Sequence, residues 1–287
     1  MADNKTDELS GIDTTGHEWD GIRELNNPMP RWWVITFYIT IVWAIAYTVA
    51  YPAWPLISGT TKGWLGYSSR AEVGKDIAAA TVAQSKYVDA IKAADLPTIM
   101  ANEELRTFAT AGGAASFKVN CSPCHGSGAA GGLGYPNLND DDWLWGGDIA
   151  AIHTTLVHGV RYAGDADTRV SQMPAFGEIL KPEEIDQVAN FVVSLSGGKA
   201  DATKAAAGKA LFAANCEACH GKEAKGNHEF GAPNLTDAIW FYGSGLQAVT
   251  AQIIKPKQGV MPAWGVRLGE TTVKELAVYV HSLGGGQ

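Results

Sequence analysis

Hydrophobic and polar positions fall into three regimes along the chain. From Trp32 to Ile57, 26 consecutive residues carry no charged side chain. About 20 apolar residues, rising 1.5 Å each, cross the hydrocarbon core of a bilayer. The run therefore predicts a retained transmembrane helix over 32–57. Trp32 and Trp33 at one end, and Tyr47, Tyr51 and Trp54 toward the other, match interfacial aromatic belts. Pro52 and Pro55 mark where the helix should stop. The run is longer than a signal-peptide core and lacks a small-x-small cleavage site at its end. A second regime, 58–101, carries Val73, Ile77, Val82, Val88 and Ile91 at helical spacing among Ala, Glu, Lys and Gln, which predicts a helical connector. The third regime holds amphipathic helices. One is expected from about Pro182 to Leu195, with Ile185, Val188, Ala189, Val192 and Leu195 on one face. Another is expected from about Thr271 to Leu283, with Val273, Leu276, Val280 and Leu283. Each ends in Gly-Gly, a helix stop.

These last helices close two copies of one unit. Gly113 and Phe117 precede Cys121-Ser122-Pro123-Cys124-His125; Gly208 and Phe212 precede Cys216-Glu217-Ala218-Cys219-His220. Pro-Asn-Leu follows at Pro136 and at Pro233, with Trp143 and Trp240 six residues beyond each Asn. Met-Pro-Ala-aromatic-Gly then follows at Met173 and at Met261. C-x-x-C-H is the attachment run of a c-type haem. The two thiols become thioethers, the imidazole takes one axial position on iron, and a later Met can take the other and raise the potential. The chain has only four Cys, all in these runs. Two disulfides, a redox dithiol or a four-cysteine zinc site are the competing uses. The His after each second Cys and the Met-Pro downstream favour haem. The expected set is two covalent haem c groups held by Cys121, Cys124, Cys216 and Cys219, with His125, Met173, His220 and Met261 on iron.

The expected division is 1–31 a tail, 32–57 the membrane helix, 58–101 the connector, and 102–198 and 199–287 two haem domains. The default pairs each Met with the haem attached nearest in sequence; a crossed arrangement between packed domains stays open. In the default packing Phe117 lies near Phe191 and Phe212 near Tyr279. His125 to Met173 spans 48 residues and His220 to Met261 spans 41, so the first copy carries a longer loop. His153 and His158 lie on a helix before Met173, and His158 competes on paper as a sixth ligand. His17, His228 and His281 read as surface or packing residues, and Met29 and Met100 lack the ligand context.

Net charge is −8, which disfavours nucleic acid as a partner. Residues 1–58 hold seven acidic and three basic side chains, and the polar first ~30 residues are expected to lack a fold of their own. Flanking Arg and Lys residues do not orient the helix. Thioether attachment takes place outside the bacterial cytoplasm, so the haem domains should be periplasmic and the N-terminus cytoplasmic.

Both repeats resemble class I cytochrome c domains. The whole layout resembles the di-haem c-type subunit of cbb3-type haem–copper cytochrome c oxidases. The specific signatures are Asn27-Pro28-Met29-Pro30-Arg31-Trp32-Trp33 before the helix, Tyr51-Pro52-Ala53-Trp54-Pro55 after it, and Gly63-Trp64-Leu65-Gly66-Tyr67-Ser68 beyond. The fold expected is mainly α, one N-terminal transmembrane helix followed by two tandem class I cytochrome c domains. The resemblance implies an inner-membrane electron-transfer subunit that is not an enzyme on its own. It would accept electrons from a cytochrome c donor and pass them, through a mono-haem c-type subunit, toward the catalytic haem–copper subunit. A free membrane-anchored carrier, or a cytochrome subunit of a periplasmic dehydrogenase, is the alternative. A di-haem peroxidase is disfavoured by two intact Met-Pro sites.

Overall fold

A computed structural model describes residues 6–284. The chain forms two compact units, residues 1–83 and 84–287. The first opens with a hairpin, β1 (Thr14–Trp19) and β2 (Ile22–Leu25), in a segment expected to lack a fold. The cause is local: Asp20 and Gly21 take φ of 51° and 83°, the doubly positive pair of a tight turn whose twist matches the strands. Helix α1 (Arg31–Ala50) follows and buries none of its residues. It is long and apolar enough to cross a membrane.

The helix ends at Ala50, seven residues before the expected limit at Ile57. Tyr51 is extended ahead of Pro52, as a residue before proline must be. The backbone then turns through β3 (Pro55–Leu56) and β4 (Gly59–Thr60). The amides of Trp64 and Leu65 donate to the carbonyls of Val49 (2.8 Å) and Ala50 (3.0 Å). The segment after the helix thus satisfies its last acceptors, which otherwise have no partner.

Helix α2 (Ser69–Ala93) is the expected connector. In the second unit its end meets α3 (Leu96–Ala101), capped by Asp95, whose carboxylate accepts from the Thr98 amide. Lys274 Nζ donates to the carbonyls of Lys92 (3.0 Å) and Ala94 (2.9 Å) and pairs with Glu270 at 2.8 Å. A cation on the terminal carbonyls of a helix is the favourable sign, so this lysine caps the connector.

The haem repeats supply α4 (Glu103–Asn120), α5 (Ser122–His125), α6 (Ile149–His158), α7 (Pro182–Leu195), α8 (Ala202–Asn215), α9 (Glu217–His220), α10 (Leu246–Ile254), α11 (Gly265–Leu268) and α12 (Glu270–His281). Their packing is exchanged between the repeats. Helix α4 of the first lies on α12 of the second, with α6 alongside; α8 of the second lies on α7 of the first, with α10 alongside. One core joins Phe117, Cys121, Ile152 and Leu156 to Val273, Leu276 and Val280. The other joins Phe176, Val188 and Val192 to Phe212, Val249 and Ile253. The boundary at 198/199 therefore does not divide the cores. Phe117 meets Tyr279 (centroids 5.4 Å) and Phe191 meets Phe212 (5.3 Å), the reverse of the expected partners.

The physical reason is the linker. Only Ser196 to Asp201 separate α7 from α8, and helices joined that tightly become antiparallel neighbours. Asp201 N–H donates to Asn190 Oδ1 (2.8 Å), and Lys204 pairs with Asp186. The crossing in each lobe needs glycine. A Cβ on Gly113 would fall 2.2 Å from the carbonyl oxygen of Glu275, and one on Gly208 2.1 Å from that of Gln187. Helix backbones this close leave no room for any side chain.

Glu275 lies in the α4–α12 crossing over Gly112, and burial pushes its carboxyl up to about 7. The folded state then holds a proton that the unfolded chain releases near 4.5. Stability from this group is full below pH ~4.5 and is lost as pH rises through ~7. Glu275→Gln should therefore raise stability by roughly 2 kcal/mol at pH 8 and by almost nothing at pH 4. Thermal unfolding at both pH values checks this; equal gains would contradict it.

Candidate haem sites

Each C-x-x-C-H run forms one short helical turn directly after a long helix, with the first Cys as the junction. The loops behind them superpose in their bonding. His125 O accepts from Gly131 N–H and His220 O from Gly226 N–H; Ala129 O accepts from Leu138 and Ala224 O from Leu235, both at 2.8 Å. Ala129 and Ala224 share a left-handed backbone, φ 58° and 56°. The Pro-Asn-Leu segments then show their use. The carbonyl of Pro136 lies 3.1 Å from His125 Nδ1, and that of Pro233 lies 3.1 Å from His220 Nδ1. With Nδ1–H donated to a carbonyl, Nε2 keeps its lone pair for a metal. Burial holds both imidazoles below their ordinary pKa, in the neutral form that a metal requires.

All four thiols are free. Burial, with Cys124 and Cys219 adding repulsion, pushes the Cys121 and Cys216 thiols up to about 11. That does not suit a reactive dithiol, which needs a thiolate, and among the described residues the thiols do not gather into a metal-ligand group. Both motifs open into one cavity of about 390 Å³, lined by both Cys pairs, both His, Met173 and Met261. Its wall is chiefly aromatic and aliphatic, including Trp143, Trp240 and Phe241. Free thiols, a fixed imidazole and an apolar slot fit a covalently attached, flat macrocycle.

The methionines are exchanged like the helices. Met261 packs in the core that holds Phe117 and Cys121; Met173 packs against the core that holds Phe212 and adjoins Cys216. Each loop is held by the other repeat. Met261 N–H donates to Val160 O and Val160 N–H to Met261 O, both at 2.9 Å. The Gln258 amide brackets Met173, accepting from its N–H (3.1 Å) and donating to its carbonyl (3.0 Å). The packing thus sets each Met against the core of the other repeat's motif, the crossed arrangement that the sequence leaves open. His158 is turned to Asp165 (Nδ1–Oδ1 3.1 Å), and neither it nor His153 lines the cavity.

Comparison with known proteins agrees with this layout. Residues 108–192 and 203–280 match the family described as cytochrome C oxidase, cbb3-type, subunit III. Residues 11–58 match the N-terminal domain of cytochrome oxidase-cbb3, FixP. The chain belongs to the cbb3-type oxidase subunit III family. It is 60% identical to the cbb3-type cytochrome c oxidase subunit FixP of Rhizobium meliloti, over the full length of both. It is 53% identical to subunit CcoP of Cereibacter sphaeroides, covering 96% of this chain and 95% of that one. An electron-transfer role, as expected from the haem motifs, fits this subunit III membership. The N-terminal match ends at residue 58, so it takes in the hairpin and α1.

Sequence reasoning had picked out the Pro-Asn-Leu segments without a role for them. It missed Gln258 and Val160 as holders of the methionine loops. No spacing rule finds those two, because each acts on the other repeat. The six-residue α7–α8 linker was the one signal that pointed to the exchange.

Proposed function

We propose that this chain is the membrane-anchored electron-relay subunit of a cbb3-type oxidase and holds two covalent haem c groups. The observation that carries the reading is the single apolar cavity that takes both C-x-x-C-H motifs and both methionines. Bound haem iron supplies a one-electron couple that makes and breaks no bond to substrate. Cys121 and Cys124 anchor one group, and Cys216 and Cys219 the other. In the crossed arrangement His125 and Met261 would hold the first iron, and His220 and Met173 the second. Pro136 and Pro233 orient the imidazoles. The surrounding aromatic side chains exclude water, which disfavours the more charged ferric state and raises the potential.

Helix α1 would cross the inner membrane once, with the hairpin on the cytoplasmic side and the haem lobes in the periplasm. This orientation rests on where thioether attachment takes place. The partners would be lipid, a cytochrome c donor, the mono-haem c-type subunit and the catalytic haem–copper subunit. In such an assembly oxygen is reduced in the haem–copper subunit, and this chain only relays electrons.

Mild-detergent purification from native membranes tests the reading. The chain should co-isolate with a copper-containing complex, and removing it should abolish oxygen uptake driven by reduced cytochrome c. A chain that migrates alone, with oxygen uptake intact in its absence, would favour the free-carrier alternative.

A further inference from the structure

Arg161 stands at the join of the two haem sites, in the longer loop of the first repeat. Its Nε donates to Gly259 O at 2.7 Å and its Nη1 to Ser171 O at 2.9 Å. Ser171 lies two residues before Met173, and Gly259 two residues before Met261. One guanidinium therefore grips both methionine loops at the same relative position. Its backbone is left-handed, φ 51°, a conformation that a non-glycine residue adopts at a cost. The next amide along this turn is also engaged: Tyr162 N–H donates to Thr168 Oγ1 at 3.1 Å.

The side chain lines the cavity and is half-buried. Among the described residues Arg161 forms no ion pair. Arginine does not lose its proton, so a buried guanidinium needs an anion or a set of acceptors. Two of its five N–H groups meet carbonyl oxygens, which leaves fork donors over for a carboxylate. The groups proposed for this cavity bring carboxylates of their own, the haem propionates.

We propose that Arg161 is the cation shared by the two haem sites. It ties the two methionine loops together and receives propionate on its remaining N–H groups. This rests on the two-haem reading. A positive charge in the wall of the shared cavity would stabilise the added electron of each ferrous state. It also ties the Met173 and Met261 loops to one another, because pulling either loop away breaks a hydrogen bond to the same side chain.

The test is redox titration of the full-length detergent-solubilised chain, read by optical spectroscopy, for wild type, Arg161→Gln and Arg161→Lys. Covalent haem per chain is measured first; one haem in the wild type would overturn the two-haem reading and the proposal with it, whereas the potentials of the variants overturn the proposal alone. With two haems present, Arg161→Gln should lower both midpoint potentials while both haems and the methionine–ferric absorption band remain. Arg161→Lys should restore most of the shift, because it keeps the charge. Unchanged potentials, a fall in one haem alone, or equal falls in both variants would overturn the proposal. If Arg161→Gln fails to accumulate, Arg161→Lys decides. Two methionine-ligated haems near wild-type potential support the role, and their loss overturns it.

Discussion

Residues 102–198 expressed alone should fail to hold a methionine-ligated haem on Cys121 and Cys124. Read along the sequence, this segment is a complete cytochrome, with its motif, its Met-Pro and its closing helix. The packing says otherwise. Helix α4 loses α12, which contributes Val273, Leu276 and Ala277 at 0% exposure and Val280 at 4%. Burying a Val or Leu side chain contributes about 1.5–3 kcal/mol. Losing three of them, with the rest of the helix, removes an amount comparable with the whole stability of a small domain. The segment would also lack Met261. By contrast, residues 171–258 run without interruption through Met173, α7, α8, the second motif, α10 and Gln258. That piece should fold and hold one methionine-ligated haem. Covalent haem content and the methionine–ferric band of the two fragments decide the matter. A methionine-ligated 102–198 fragment would refute the exchanged packing.

The second large effect concerns the axial ligands. In a full-length chain carrying Cys216→Ala and Cys219→Ala, the haem that remains is the one on Cys121 and Cys124. Met261→His in that background should abolish its methionine band and lower its potential, as an imidazole replacing a thioether does. Met173→His should leave both unchanged. The reciprocal chain, with Cys121→Ala and Cys124→Ala, should respond to Met173→His and ignore Met261→His. The opposite pattern would restore nearest-in-sequence ligation.

Why the exchange was not legible follows from the duplication itself. Met173 and Met261 sit in nearly identical surroundings of sequence, and so do Phe191 and Tyr279. Either pairing offers each iron one imidazole and one thioether, so composition, spacing and periodicity are blind to the choice. The elements themselves were legible. Helices Pro182–Leu195 and Glu270–His281 were visible in their apolar faces, and the tight crossings were visible in Gly113 and Gly208. The short span from Ser196 to Asp201 was the neglected cue. The N-terminal hairpin was missed for a different reason. Its composition is that of a polar tail, and only Asp20-Gly21 betrays a turn. Arg161 and Gln258 were beyond sequence reasoning because their partners lie 98 and 85 residues away.

The nested layout also orders events in time. As the chain is synthesised, the first C-x-x-C-H run emerges 95 residues before the second. Its lobe nevertheless waits for α12, near the very end of the chain. The second lobe has all its parts as soon as residue 258 is clear. The motif that is synthesised first is therefore enclosed last.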